Sequence, residues 1–271
     1  MTSSSDHAFA GSIPLVYDTH LVPLIFEPYA ADLVRRLSAM PVTQVLEIAA
    51  GTGVVTRAMA AALPAGVSIV ATDLNQAMLD RASAVGAARA VVWRQADALQ
   101  LPFPDGSFDV VVCQFGAMFF PDRVQAFSEA RRVLRRDGVL LFNVWDRIEE
   151  NEFAEVVTTA LAGLFPSDPP LFMARTPHGY FDRDAIARDL AAAGFEHAPA
   201  IERVAARSRS ASARMAAIAY CAGTPLRNEI EARSPGGLQA ATAACAEALA
   251  ERFGTGPVDG RIQALVVTIR N

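Results

Sequence analysis

The sequence predicts an α/β protein built on a doubly wound, mostly parallel sheet. Three observations predict it. Short apolar runs alternate with helical patterns five times between residues 42 and 145, the rhythm of parallel strands joined by right-handed crossovers. The fourth run, 110–115, is apolar without alternation, as befits a strand covered on both faces. The first run ends in an acidic residue followed by a glycine turn, VLEIAAGTG at 45–53.

In order along the chain, residues 1–12 are small and polar and are expected to fray; His7 falls among them. Apolar residues then recur at helical spacing from 17 to 40, giving a short broken helix, a restart at Pro28 and an end before Pro41. Strand one covers 42–48, and a helix at 54–63 is stopped by Pro64. Strand two covers 68–72 and its helix 75–85, and strand three covers 90–94. The loop LPFPDGSFD, 101–109, is punctuated by Pro and Gly. Strand four follows, then a helix at 123–134 closed by Asp137-Gly138, and strand five at 139–145.

After Asp146 the rhythm changes. A helix is expected at 149–164, a Pro-rich loop at 166–179, and a helix at 182–193 capped by Gly194. A sixth strand at 200–206, two or three alanine-rich helices between 211 and 253, and a last strand at 261–270 complete the reading. The division is one domain: an N-terminal helical cap (1–41), a cofactor-binding core (42–146), substrate-side helices and an insertion (147–260), and the final strand (261–271).

The 271 residues, 52% hydrophobic and 20% charged, are enough for a packed core and too apolar for disorder. A formal net charge of −5 argues against nucleic-acid binding, which draws on clustered Lys and Arg. Cys113, Cys221 and Cys245 are too few and too scattered for a disulfide framework or a zinc site, and no metal-ligand spacing appears. The start MTSSSDHAFAGS lacks a secretory pattern, and no apolar run approaches the roughly 20 residues of a membrane span. The expectation is a cytoplasmic protein, monomer or homodimer, without membrane insertion.

In an open parallel sheet, ligands bind beyond the carboxyl ends of the strands. Gly51 and Gly53 let the backbone turn tightly and approach a ligand, and the helix that follows offers free N–H groups. Glu47 is placed to contact the ligand or to pin the loop. Asp73, ending strand two, suits a bidentate grip on ribose hydroxyls, and Asp97 ends strand three. Three carboxylates around one glycine turn describe a pocket for a hydroxyl-rich, partly cationic nucleoside. That reading favours S-adenosylmethionine over NAD, whose fingerprint needs a further glycine where this chain has Val54-Val55-Thr56.

Taken together, VLEIAAGTG, Thr72-Asp73, QADALQLPFPDGSFDVVVCQFGAMFFPD (95–122) and RRVLRRDGVLLF (131–142) resemble the class I S-adenosylmethionine-dependent methyltransferases, and within them the ubiquinone/menaquinone methyltransferase-like small-molecule branch. The resemblance covers residues 42–145, about two fifths of the chain. It implies a Rossmann-like seven-stranded sheet with a helical insertion before the last strand, and methylation of a small organic molecule at O, N or C. It also implies roles. Glu47 and the turn of Ala49, Gly51 and Gly53 would hold the methionine part, and Asp73 the ribose. Leu74 and Met78 would lie against the adenine. Asp97 and the Ala98 N–H would meet the adenine edge, and Gln114 and Phe115 would face the sulfonium and the acceptor. The family's first turn glycine is Ala49 here.

In-line methyl transfer needs mainly positioning and exclusion of water, with a base only for a protonated nucleophile. The core motifs offer no base. The candidates are Tyr17, His20 and His178, with Arg175 and Tyr180 beside the last, each with a packing or surface role as the plain alternative. Phe26, Phe119, Phe120 and Phe172 could form an aromatic wall. Nucleic-acid substrates are disfavoured because strand four ends Cys113-Gln114-Phe115-Gly116, without the Asp/Asn-Pro-Pro-Tyr pattern of amino-methylating base enzymes. Two rival readings are a cofactor-binding protein without transfer and a different reaction on the same cofactor.

Overall fold

The computed structural model describes residues 11–271; the tail that was expected to fray lies, up to residue 10 and including His7, outside the described residues. Seven strands form one sheet: β1 (Gln44–Glu47), β2 (Ser68–Asp73), β3 (Val92–Gln95), β4 (Phe108–Gln114), β5 (Leu134–Trp145), β6 (Ala200–Ser210) and β7 (Val258–Arg270), in the order β3-β2-β1-β4-β5-β7-β6. The β1–β2, β1–β4, β2–β3 and β4–β5 pairs are all parallel. The order reverses between β1 and β4, which makes that edge the switch point where α/β sheets bind ligands.

By their contacts the residues group into two compact units. The first holds Tyr29–Val144, Tyr180–Val204 and Ala264–Asn271. Within it α2 (Glu27–Leu37, from Tyr29 on), α3 (Val54–Ala62), α4 (Gln76–Val85), α5 (Arg123–Val133) and α8 (Arg183–Ala192) accompany the strands. On one sheet face Val45, Ile69, Val110, Val112, Val139 and Leu141 bury against Leu33, Leu37, Val55 and Met59 of α2 and α3. Each such side chain contributes roughly 1.5–3 kcal/mol relative to exposure. Side chains alternate between faces along a strand, so Glu47, Asp73, Gln114 and Asn143 point to this same face at its carboxyl end.

The register sets their heights. Glu47 is level with Ala71 on β2 and Val112 on β4, and Gln114 is level with Asn143 on β5. Asp73, Gln114 and Asn143 therefore form one polar row, a single two-residue step above Glu47. β1 contributes nothing to that row because it has already turned away.

The second unit holds residues 11–28, Trp145–Gly179 and Ala205–Gln263. Here α9 (Ala213–Ala222) and α11 (Leu238–Phe253) pack on each other and on α6 (Glu152–Leu164). Alanines 213, 216, 217, 219 and 241 are buried at these contacts; small side chains let helix axes approach closely. α10 (Leu226–Arg233) makes the third alanine-region helix.

Several boundaries differ from the sequence reading. The expected break and restart at Pro28 do not occur: α1 (Ile13–Val16) widens into a π-helix, Tyr17–Phe26, that holds Pro23 and runs into α2. Proline has no N–H to give to a regular helical ladder, and the backbone widens around it. β5 begins at Leu134, five residues early, because the Asp137-Gly138 turn lies inside the strand, where the register with β4 shifts between Phe108 and Val110 and Asp137 sits at φ 64°. The Pro-rich loop holds one helical turn, α7 (Phe172–Arg175). β6 runs four residues past, and β7 starts three residues before, the expected strands.

Candidate functional site

The turn after β1 is made of left-handed residues. Ala49, Gly51 and Gly53 have φ of 54°, 57° and 85°, and Ala50 N–H donates to Thr72 O at 2.9 Å, tying the turn to β2. Gly53 is the N-cap of α3. A Cβ on it would lie 2.7 Å from Trp93 Cη2, so the missing side chain is what lets α3 start against β3. Ala49 holds its conformation at a cost of roughly 1–2 kcal/mol for an L-residue. Its methyl group fits because residue 116 is glycine: a Cβ there would meet Ala49 Cβ at 2.5 Å.

Glu47 is buried, and its Oε2 accepts the Thr56 hydroxyl. Burial pushes its carboxyl up to about 8, the nearby Asp73 carboxylate adding to the effect against the Thr56 hydrogen bond. Asp73 is 8% exposed. Its Oδ2 accepts the Gly51 N–H and its Oδ1 the Asn75 N–H, both at 2.8 Å. Burial raises its pKa while those two N–H groups pull it back. A carboxylate offers about four acceptor sites, and the Gly51 and Asn75 N–H groups occupy one on each oxygen.

Leu74, the next residue, is 51% exposed, an apolar surface at the β2 end on which a flat ring can lie; Met78, on α4, is buried. Asp97 is exposed, its Oδ1 accepting the Leu99 N–H at 2.9 Å, with Ala98 half-buried beside it.

At the end of β4, Gln114 and Phe115 are buried, and Phe115 is also left-handed, φ 50°. Non-glycine residues held there cost of order 1–3 kcal/mol and cluster at functional sites. Phe115 packs edge-on against Tyr29 at 5.3 Å between ring centroids. Its N–H is met twice by β5, by Asn143 O at 3.2 Å and Asn143 Oδ1 at 2.9 Å. Asn143 was not foreseen. Its only signal is that it is the one polar side chain within the run GVLLFNVW.

The cofactor candidates thus come together at one edge of the first unit. Asp73 is hydrogen-bonded to Gly51 of the turn and Glu47 to Thr56 of the helix after it, Leu74 and Asp97 follow β2 and β3, and Gln114 and Phe115 stand at the end of β4. This arrangement can clasp a diol and support a planar base. The glycine turn and the double acceptor at Asp73 fit an adenosyl group carrying an amino acid.

Tyr17, His20 and His178 belong to the second unit. Tyr17 stacks on Phe26 at 5.1 Å, Phe26 lies 6.0 Å from Trp145, and Trp145 lies 5.9 Å from the His178 ring, so two of the three join one aromatic row. His178 Nδ1 lies 2.9 Å from Asp146 O, a pure acceptor, so Nδ1 carries the proton. Burial lowers its pKa to about 4. His20, half-buried on the π-helix, is not in that row. Arg175 pairs with Glu229 at 2.7 Å. Tyr180, in the first unit, donates to Asp189 at 2.7 Å under the Arg123 guanidinium. Phe26 and Phe172 lie in the second unit and Phe119 and Phe120 in the first. No helix among the described residues is long and apolar enough to cross a membrane.

A methyltransferase domain family model matches residues 46–142. The chain is 32% identical over 169 residues to the ubiquinone/menaquinone biosynthesis C-methyltransferase UbiE of Ectopseudomonas mendocina, covering 58% of this chain and 66% of that protein. It is 33% identical over 126 residues to an uncharacterized protein of Mycobacterium tuberculosis, covering 45% of this chain and 44% of that one. Among solved structures, a phosphoethanolamine N-methyltransferase of Haemonchus contortus, in complex with phosphomonomethylethanolamine and S-adenosylhomocysteine, has a TM-score of 0.59 at 16% identity over 99% of this chain and 61% of that one. At that identity the likeness concerns the fold. The chain spans less than two thirds of each of these relatives.

Proposed function

We propose, from the premise that this chain carries a class I S-adenosylmethionine-dependent methyltransferase domain of the ubiquinone/menaquinone methyltransferase-like branch, that it transfers a methyl group to a small organic molecule at O, N or C. The observation that carries the reading is Asp73: a buried carboxylate, bonded to the glycine turn through one oxygen and to its own loop through the other, beside an exposed leucine. Those features support reading Asp73 and Leu74 as a nucleoside grip.

In this reading Asp73 binds the ribose diol, Leu74 and Met78 support the adenine, and Asp97 with the Ala98 N–H reads the adenine edge. Glu47 and the turn of Ala49, Gly51 and Gly53 hold the amino-acid end. Gln114 and Phe115 form the wall beside the acceptor. When bound, the cofactor supplies an electrophilic methyl group. The chain's part is to orient the nucleophile in line and to keep water out. Tyr17, His20 and His178 stay candidates for accepting a proton; with Nδ1 held by Asp146 O, the acceptor nitrogen of His178 is Nε2.

Incubation with methyl-labelled S-adenosylmethionine and a panel of quinols, phenols, carboxylates and amines tests this. Label in one of these acceptors is the expected result. Tight cofactor binding with no labelled product would favour a cofactor-binding protein without transfer, or another reaction on the same cofactor.

A further inference from the structure

We infer that Asn143 is a positioning residue for the β4 edge: its side-chain oxygen clamps Phe115 in the left-handed turn that presents Gln114 and Phe115 to the cofactor. The inference rests on the reading of that edge as the cofactor site.

The geometry is specific. Phe115, a bulky L-residue, sits at φ 50°, a conformation that persists only where its surroundings hold it. What holds it is a forked acceptor on the neighbouring strand, Asn143 O and Oδ1, both directed at the one Phe115 N–H. The amide cannot be reversed, because its NH2 group would then face another N–H. Nδ2 is accordingly turned away from Phe115, and it is buried without a hydrogen-bond partner among the described residues. Asn143 is itself fully buried, on the face that carries Val139 and Leu141. A third aliphatic side chain there would continue the packing and leave no donor stranded. An asparagine in that place makes sense as a device for the turn it bonds to.

The effect should pass through the backbone of residue 115, which gives a discriminating test. Glycine adopts φ 50° unaided and alanine does not. Asn143→Ala is made in three backgrounds: native, Phe115→Ala and Phe115→Gly. S-adenosylhomocysteine binding is measured by calorimetry and stability by thermal melts. The expected result is an affinity loss of about tenfold or more in the native and Phe115→Ala backgrounds, and less than about threefold in Phe115→Gly. The melts should show the same pattern, with the smallest drop in Phe115→Gly. Asn143→Ser, which leaves a smaller hole, replaces Asn143→Ala should the latter not fold. Equal losses in all three backgrounds, or none, would overturn the inference. Failure of the unaltered protein to bind S-adenosylhomocysteine would instead sink the cofactor reading, and the melts would still decide whether the clamp exists.

Discussion

Asp73 Oδ2 accepts the Gly51 N–H at 2.8 Å, so the carboxylate assigned to the ribose also builds the glycine turn it faces. In the proposed reading, cofactor grip and loop shape are carried by the same group. A substitution there acts on both, and the two effects can be separated.

Asp73→Ala should weaken S-adenosylhomocysteine binding by roughly 1.5–3 kcal/mol, the range for hydrogen bonds to a charged group. It should also lower the melting temperature, since two backbone N–H groups lose their acceptor. Asp73→Asn keeps one acceptor oxygen and should recover more stability than affinity. Calorimetry and melts on both variants check this; a parallel loss in both measurements would mean the residue is only structural.

Stability should fall as pH rises toward 8. The Glu47 carboxyl titrates near 4.5 when unfolded and at about 8 when folded, so between those values the native state holds the extra proton and its advantage is lost as pH increases. Asp73 shifts in the same direction. His178, lowered to about 4 from 6.5, opposes this below pH 6.5, where the unfolded chain binds the extra proton. The window from 6.5 to 8 is therefore the clean one. Glu47→Gln keeps an acceptor for Thr56 and cannot ionise; its melting temperature should change least across that window. Superimposable pH profiles for the two proteins would contradict the assignment.

Ala49 and Gly116 should behave as a coupled pair. Ala49→Gly relieves a left-handed alanine but loosens the unfolded chain, a net gain of roughly 0.5–1 kcal/mol. Gly116→Ala drives a methyl group into Ala49 Cβ and Cys113 Sγ and should cost about 1–3 kcal/mol. The double variant should recover part of that cost, leaving the clash with sulfur. Denaturant melts of the four proteins give the coupling directly, and strict additivity would show that the two residues do not share the space.

Gly53→Ala combines φ 85° with a contact at 2.7 Å to Trp93 and should destabilise by roughly 2–4 kcal/mol. Gly53→Ala in a Trp93→Ala background, where the ring contact is gone, isolates the backbone share. Equal losses with and without the Trp93 ring would remove Trp93 from the account.

The strand–helix alternation and the acidic strand ends were legible because each rests on local pattern: apolar period, a turn glycine, a carboxylate after a run. The sixth and last strands and the helices between them were also legible from pattern, and the resemblance joined the seven strands into one Rossmann-like sheet. What the pattern hid was decided by contacts distant in sequence. Asn143 reads as an interruption in GVLLFNVW until β5 is laid beside β4 and its oxygen meets Phe115. The break expected at Pro28 does not occur, because propensity does not anticipate the π-helix that holds Pro23. Asp137-Gly138 reads as a helix stop, and only the pairing with β4 shows that it lies inside the strand. The space at Gly116 that admits the methyl of Ala49 lies across two strands and leaves no trace in either segment alone.

The central claim is that the carboxyl edge of β1, β2, β3 and β4 binds the adenosyl group of S-adenosylmethionine. Calorimetric titration of the protein with S-adenosylhomocysteine, with NAD as the comparison, tests it most directly. One-to-one binding of the homocysteine compound with no heat from NAD is the predicted result. Absence of binding by well-folded protein, or preference for NAD, would contradict it.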